Sequence, residues 1–399
     1  MKGIRDRVAI IGMACTPFGE RWGSSADDLL VEAATAALAS AGVEADTIDA
    51  YWLGTYASGI SGLTLSRALK TDYRPVTRVE NLCATGTDAF RNACYAVAAS
   101  ACDVAMAVGV EKLKDSGYAG LSAAWPPGDG TGSGLTDPAM FSLIVPAYRK
   151  RFGVDEQTMR EVLTRIAWKN HHNGARNPRA QFRTEVSADT ITCSPTVAGD
   201  LRVYDCSGVS DGAAAAIVVR SEDAHRFRDD PLYVKAVSLA AGPGASAFDS
   251  DYDYTTFPEV RRSVANAYAE AGVDDPRQAI GMAEVHDCFT PTELVLMEDL
   301  GFAEPGQSWR EVLAGTFDLD GELPVNPDGG LKSFGHPIGA SGLRMLFECW
   351  LQLRDEAPDD RRIPAAARER GLALTQNLGG WPGNCVSSVC LVGRDGPKP

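Results

Sequence analysis

VEAATAALASAGVEADTIDAYWLG, residues 31–54, has a weak echo at residues 264–285, VANAYAEAGVDDPRQAIGMAEV. In each copy apolar residues recur at helical spacing. The helix ends at Ala-Gly-Val (Ala41-Gly42-Val43 and Ala271-Gly272-Val273), and a short linker leads into a strand-like run. Glycine just past a helix end takes the left-handed conformation that closes it. Each copy also follows an apolar run, VAIIGMA from Val8 and LYVKAVSLAA from Leu232. Two strand–helix–strand units of this kind predict two similar α/β halves with largely buried sheets.

Working outward, Asp103–Glu111 and Gly371–Gly380 read as later strands of the two halves, and Ala213–Arg220 as the last strand of the first half. Cys83–Ala101 and Ile338–Leu353 read as helices. Between about 114 and 185 the pattern breaks at Trp125-PPGDGTGSG and continues as polar helices, which predicts an inserted, mostly helical loop domain. The expected division is 1–113 with 186–225, 114–185, and 226–399. Sites in such molecules lie where the halves meet, at the C-terminal ends of strands.

Composition narrows the function. The chain has 399 residues, 45% of them hydrophobic, enough for a large core. The first apolar run, Val8–Ala14, is short, holds β-branched residues and a glycine, and reads as a buried strand, not a signal peptide. No run reaches the roughly 18 apolar residues of a membrane span. Cysteines without CxxC spacing predict a cytoplasmic chain with reduced thiols and no metal site. Cys15, Cys94, Cys102, Cys193, Cys206, Cys349, Cys385 and Cys390 read as small buried filler. A net charge of −15 argues against nucleic acid and anionic membranes. Against that charge, the insertion carries Arg149, Lys150, Arg151, Arg160, Arg165, Lys169, Arg176, Arg179 and Arg183. About half of such a run reads as solvated helix face.

Three segments sit at strand-to-helix junctions. Asn81-Leu82-Cys83-Ala84-Thr85-Gly86-Thr87 puts a cysteine at the start of an Ala-rich helix, where free N–H groups favour thiolate over thiol. Glu284-Val285-His286-Asp287-Cys288-Phe289-Thr290 alternates so that His286 and Cys288 share one side if the strand continues. The third is NPDGGLKSFGHPIGASG, residues 326–342, glycine-rich, with His336 before a proline that suits a first helical turn. It lacks the Gly-Lys-Ser/Thr ending of a nucleotide loop. Of the five histidines, His171, His172 and His225 read as surface residues; the other two stand in these junctions.

Together the three segments resemble the thiolase superfamily, over nearly the whole chain. Cys83 stands in the nucleophile motif, residues 326–342 match the "NxxGG…GHPxGxxG" motif, and His286-Asp287-Cys288-Phe289 is similar to the HDCF motif of sterol-carrier-protein-type thiolases. The stretch from Tyr204 to Ala214 is similar as well. Asn377, before Leu378-Gly379-Gly380, stands where other thiolases carry a second cysteine. The resemblance implies a layered αβαβα fold and an acyl-CoA C-acyltransferase that cleaves 3-oxoacyl-CoA with coenzyme A, or runs the reverse Claisen condensation. It implies Cys83 as nucleophile, His336 as its base and Cys288 as the acid/base at the α-carbon. One oxyanion hole would come from His286 and His336, the other from the N–H groups of Cys83 and Gly379. Arg149, Arg151, Arg176, Arg179 and Arg183 are candidates for the phosphates of coenzyme A. The resemblance further implies coenzyme A and acyl-CoA as substrates with no other cofactor, and a homodimer or homotetramer.

Two other readings stand beside it. One is a thiolase-fold retro-aldolase acting on a steroid side-chain CoA thioester with a small zinc-ribbon/OB-fold partner; retention of Cys83, His286, Cys288 and His336 argues for thiolysis instead. The other is a non-catalytic CoA-binding or scaffold subunit. Trp381 departs from the pattern, and reads either as narrowing the acyl tunnel or as packing at a dimer interface.

Overall fold

The computed structural model describes residues 3–114 and 136–397. The Trp125 glycine-rich stretch lies outside them. The first half runs β1 (Val8–Cys15), α1 (Ala26–Ala41), β2 (Ala50–Gly54), α2 (Leu63–Leu69), β3 (Val76–Val79), α3 (Thr85–Ala98) and β4 (Val104–Glu111). There follow α4 (Asp137–Ser142), α5 (Ile144–Phe152), α6 (Glu156–Ala175), α7 (Ala188–Thr192) and a hairpin of β5 (Thr196–Ala198) and β6 (Leu201–Arg202). β7 (Gly212–Arg220) then returns to the sheet. The second half comprises β8 (Leu232–Ala241), α8 (Ala245–Phe248), α9 (Pro258–Ala271), α10 (Pro276–Ala279), β9 (Met282–Glu284), α11 (Thr290–Asp299), α12 (Ser308–Ala314), α13 (Gly330–Ser333), α14 (Ser341–Leu353), α15 (Ala365–Glu369), β10 (Leu372–Trp381) and β11 (Asn384–Gly393).

The repeat appears as mirrored strand order. The sheet reads β3-β2-β4-β7-β1-β8-β11-β10-β9, two similar halves joined edge to edge through Ala9–Tyr233 and Ile10–Leu232. The counterpart of β3 in the second half is a single parallel bridge, Ala283–Val325. The two repeated helices, α1 and α9, both close on left-handed glycines, Gly42 and Gly272.

Layering follows from side-chain alternation. In β1, Val8 and Ile10 enter the core shared with α3 and α14, whereas Ala9 and Ile11 enter the core under α1. A register shift between Ile10 and Gly12 inserts one residue, so that Met13 and Cys15 continue the first face. The helices α3 and α14 pack on each other between the halves, α1 covers the first half from outside, and α9 covers β8 and β11. This is the expected αβαβα arrangement. The N-terminal ends of α3 and α14 meet in the middle layer, and the chemistry-bearing loops precede them.

Candidate active site

Cys83 lies in the turn between β3 and α3. Leu82 before it has φ 51°, left-handed backbone that costs a leucine on the order of 1 kcal/mol. Local bonds hold the turn. Asn81 N–H donates to Thr85 Oγ1 at 2.8 Å, Asn81 Nδ2 to Asp88 Oδ2 at 2.7 Å, and Leu82 N–H to Glu80 Oε1 at 2.5 Å. Gly379 of β10 presses against it: a Cβ there would sit 2.4 Å from Asn81 O and 3.1 Å from Cys83 N. Only glycine permits that approach, which brings the backbone of both halves to the sulfur.

His336 comes from the second half. Its Nε2 is 3.1 Å from Cys83 Sγ, and its Nδ1 is 2.7 Å from Ser341 Oγ. Ser341 donates its one hydroxyl proton to Pro337 O at 3.0 Å, so it accepts from His336 Nδ1–H. The Nε2 lone pair therefore faces the thiol. The hydroxyl of Ser210 accepts His336 N–H at 3.0 Å and ties this loop to the strand-like run before β7.

β9 ends at Glu284, so His286 and Cys288 stand on an extended loop and not, as the alternation suggested, on a continued strand. The loop is fixed by neighbours. Val285 N–H donates to Asn326 Oδ1 at 2.8 Å, and Asp287 accepts Leu331 N–H at 2.6 Å and Asn170 Nδ2 at 2.8 Å. The His286 and His336 rings meet edge-on, 5.4 Å between centroids. The donor atoms of Cys83, His286 and His336 all lie within 4.8 Å of one another. These three and Cys288 line one cavity of about 90 Å³.

Burial sets the protonation. It pushes the Cys83 thiol well above the ordinary cysteine range, and the carboxylates of Asp137, Glu111 and Glu80 push the same way. This direction runs against the expectation of a helix-stabilised thiolate, with desolvation opposing the N–H groups of α3. Burial lowers His336 to about 3, helped by Arg344, and holds His286 well below the usual range, helped by His336 and Arg344. The Cys288 thiol is pushed up by burial and by Cys83. Both shifts favour a neutral thiol and a neutral imidazole in the resting site.

Other expectations meet mixed outcomes. Arg149 pairs with Glu156, Arg151 with Asp253, and Arg176 with Glu185, while Arg179 donates to Cys15 O. Of those five arginines Arg183 alone borders the large cavity next to the site. His171 is buried, not a surface residue, and Cys193 is exposed, not buried filler. Cys206 is half-buried and lines the site cavity. Trp381 packs partly buried against the second-half core, and Gly380 beside it lines the cavity. Asp137, Pro138 and Phe141 of α4 also line it, and were not singled out. The Thr136 cap, whose hydroxyl accepts Ala139 N–H, and Pro138 in the first turn were the readable signal of that helix.

With this geometry in view, residues 8–222 match the thiolase N-terminal domain and residues 244–391 the thiolase C-terminal domain-like model. The chain belongs to the thiolase family. It is 37% identical over 97% of its length, and 99% of the relative's, to acetyl-CoA acetyltransferase of Methanothermobacter thermautotrophicus. It is 31% identical to human sterol carrier protein 2, over 94% of this chain and 70% of that one. Among solved structures, the Ltp2-ChsH2(DUF35) aldolase superposes with a TM-score of 0.82 at 22% identity, covering 99% of this chain and 100% of that one. Human mitochondrial 3-ketoacyl-CoA thiolase does so at 0.71 and 18%, covering 98% and 99%. At these identities the two structures bear on the fold alone. The thiolase is an enzyme, an acyltransferase of the acyl-CoA C-acyltransferase type, and neither the retro-aldolase nor the scaffold reading is needed.

Proposed function

We propose that the thiolase acts through an acyl-Cys83 intermediate with His336 as base. The observation that carries this is the 3.1 Å contact between His336 Nε2 and Cys83 Sγ, with Nδ1 fixed by Ser341. In the cleavage direction, Sγ attacks the 3-oxo carbon of 3-oxoacyl-CoA while its proton passes to Nε2. The C2–C3 bond breaks, its electrons form the enolate of acetyl-CoA, and Cys288 delivers its proton to C2. Coenzyme A thiol then gives its proton back to the Cys288 thiolate and attacks the acyl-Cys83 carbonyl; the C–Sγ bond breaks, Cys83 takes its proton from His336, and the shortened acyl-CoA leaves. Donors from His286 and His336 hold the enolate oxygen, and the N–H groups of Cys83 and Gly379 hold the tetrahedral oxyanion. One such donor contributes about 3–4 kcal/mol. Cys83, His286 and His336 are also spaced as metal donors are, but the short Cys–His hydrogen bond is the arrangement of an acid–base pair, and we assign no metal.

Coenzyme A and acyl-CoA are its substrates in this reading, with no further cofactor. A cytoplasmic location belongs to the same proposal; among the described residues no helix is long and apolar enough to cross a membrane. A homodimer or pair of dimers is supported by β3 at the sheet edge with Ile60, Leu63 and Tyr73 exposed nearby. A small zinc-ribbon/OB-fold partner is part of this proposal; the aldolase of similar fold is named with DUF35, as Ltp2-ChsH2(DUF35). The insertion at 114–185 supplies one wall of the site to the halves 1–113 with 186–225 and 226–399. A thiolysis screen across 3-oxoacyl-CoA chain lengths, steroid thioesters included, tests the proposal. Release of acetyl-CoA from at least one chain length is expected; none from any would refute it.

A further inference from the structure

Asn170 of α6 is fully buried and does not line the catalytic cavity. Its neighbours fix which way its amide points. Oδ1 accepts from Lys169 Nζ at 2.7 Å, while Nδ2 donates to two carboxylates, Asp287 Oδ2 and Glu293 Oε2, each at 2.8 Å. An amide N–H₂ has two protons, one for each carboxylate. Lys169 Nζ also donates to Val325 O at 2.7 Å and pairs with Glu293 Oε1 at 3.0 Å. Asn326 completes the cluster. Its Nδ2 donates to Glu293 Oε2 at 3.0 Å, and its Oδ1 accepts Val285 N–H at 2.8 Å. Lys169, Asn170, Asp287, Glu293 and Asn326 are each 4% exposed or less. Charges buried so deeply hold their places only while every one of them is paired and hydrogen-bonded.

The two carboxylates bracket the reacting loop. Asp287 stands between His286 and Cys288 in the chain, and Glu293 lies in the first turn of α11, which follows Cys288. We propose that Asn170 is a positioning residue for proton transfer at the α-carbon: by tying Asp287 to Glu293 through one amide it sets where Cys288 and His286 stand, without touching the substrate. The inference rests on the reading of Cys83 as the acylated nucleophile and Cys288 as the acid/base. Without the amide, two buried carboxylates face each other short of a donor, and their repulsion is relieved only by moving the loop that carries Cys288. The nucleophile is held by other bonds. Asn81 N–H to Thr85 Oγ1 fixes the Cys83 turn, and Ser210 and Ser341 fix His336. The loss therefore falls on one half-reaction and spares the other.

The test compares two rates in the full-length wild type, Asn170→Leu, Asn170→Ser and Cys288→Ala. One is acetylation of Cys83 by acetyl-CoA, followed by intact mass; the other is thiolysis of acetoacetyl-CoA, followed by release of acetyl-CoA. Asn170→Leu keeps the shape and removes both polar atoms. It should lower kcat of thiolysis by about ten- to a hundredfold, with KM and the acetylation rate held within about twofold. The pattern is a weaker copy of Cys288→Ala. Asn170→Ser keeps one donor, so it should recover part of the loss, and it supplies the comparison should the leucine variant not fold. A merely structural role would lower both rates together. Equal loss in both, or loss in neither, overturns the proposal. Thiolysis by Cys288→Ala at the wild-type rate, or a wild type that acetyl-CoA does not acetylate, would instead remove the role of Cys288 or of Cys83, and the proposal with it.

Discussion

At the scale of single residues, the proton on Cys83 has a short path, 3.1 Å to His336 Nε2, between two groups that are neutral at rest. The pH dependence follows from the sign of the shift. His336 is depressed to about 3, so its neutral, proton-accepting form persists down to acidic pH and is lost only near that value. Acylation by acetyl-CoA should therefore stay flat from about pH 5 to 8. A fall centred near pH 6.5, the ordinary imidazole value, would count against it. Ser341→Ala removes the acceptor of Nδ1–H and should lower the acylation rate about tenfold with little change in KM. An unchanged rate would show that the tautomer is fixed by something else. Which residues come together at the site was legible, because Cys83, His286, Cys288 and His336, which line one cavity, stand in short motifs. Their ionisation was not, because desolvation depends on what the rest of the fold places around them. The buried His171 was misread for a related reason. α6 buries Lys169, Asn170 and Asn173 along with it, so the buried face of this stretch is polar and gives no hydrophobic signal.

At the scale of elements, the site depends on close contact between the first turns of α3 and α14. A Cβ on Gly342 would lie 2.2 Å from Thr87 Oγ1 and 2.5 Å from Thr87 N, in rigid surroundings. Gly342→Ala should thus force the halves apart, destabilise the protein by about 1–3 kcal/mol and lower kcat more than it raises KM. Thermal unfolding and steady-state kinetics check both, and wild-type values in both would contradict the close packing. The long buried strands β1, β4, β7, β8 and β10 were visible as apolar runs, since strands buried on both faces need no polar alternation. β3 was not. Its residues VTRV are half-exposed at a sheet edge, and its partner in the second half shrinks to the Ala283–Val325 bridge.

At the scale of the whole molecule, the two halves divide the labour. The first brings Cys83, the second brings His286, Cys288 and His336, and the helices between β4 and β7 close the pocket with Asp137, Pro138 and Phe141. The duplication was legible from the Ala-Gly-Val helix ends; the closing wall was not, because α4 is only six residues long and its lining depends on tertiary placement. The division predicts separable half-reactions. Cys288→Ala should leave acylation of Cys83 largely intact while carbon–carbon bond formation and cleavage stop. Loss of acylation as well would mean that Cys288 serves the nucleophile rather than the α-carbon.

The most direct test of the central claim is intact-mass and peptide analysis of the thiolase after exposure to acetyl-CoA. The account predicts one acetyl group on the peptide containing Cys83 in the wild type and none in Cys83→Ala. In His336→Ala the adduct should form more slowly by about a hundredfold or more. An acetyl group on another cysteine, such as the exposed Cys193, or acetylation that proceeds equally well without His336, would contradict it.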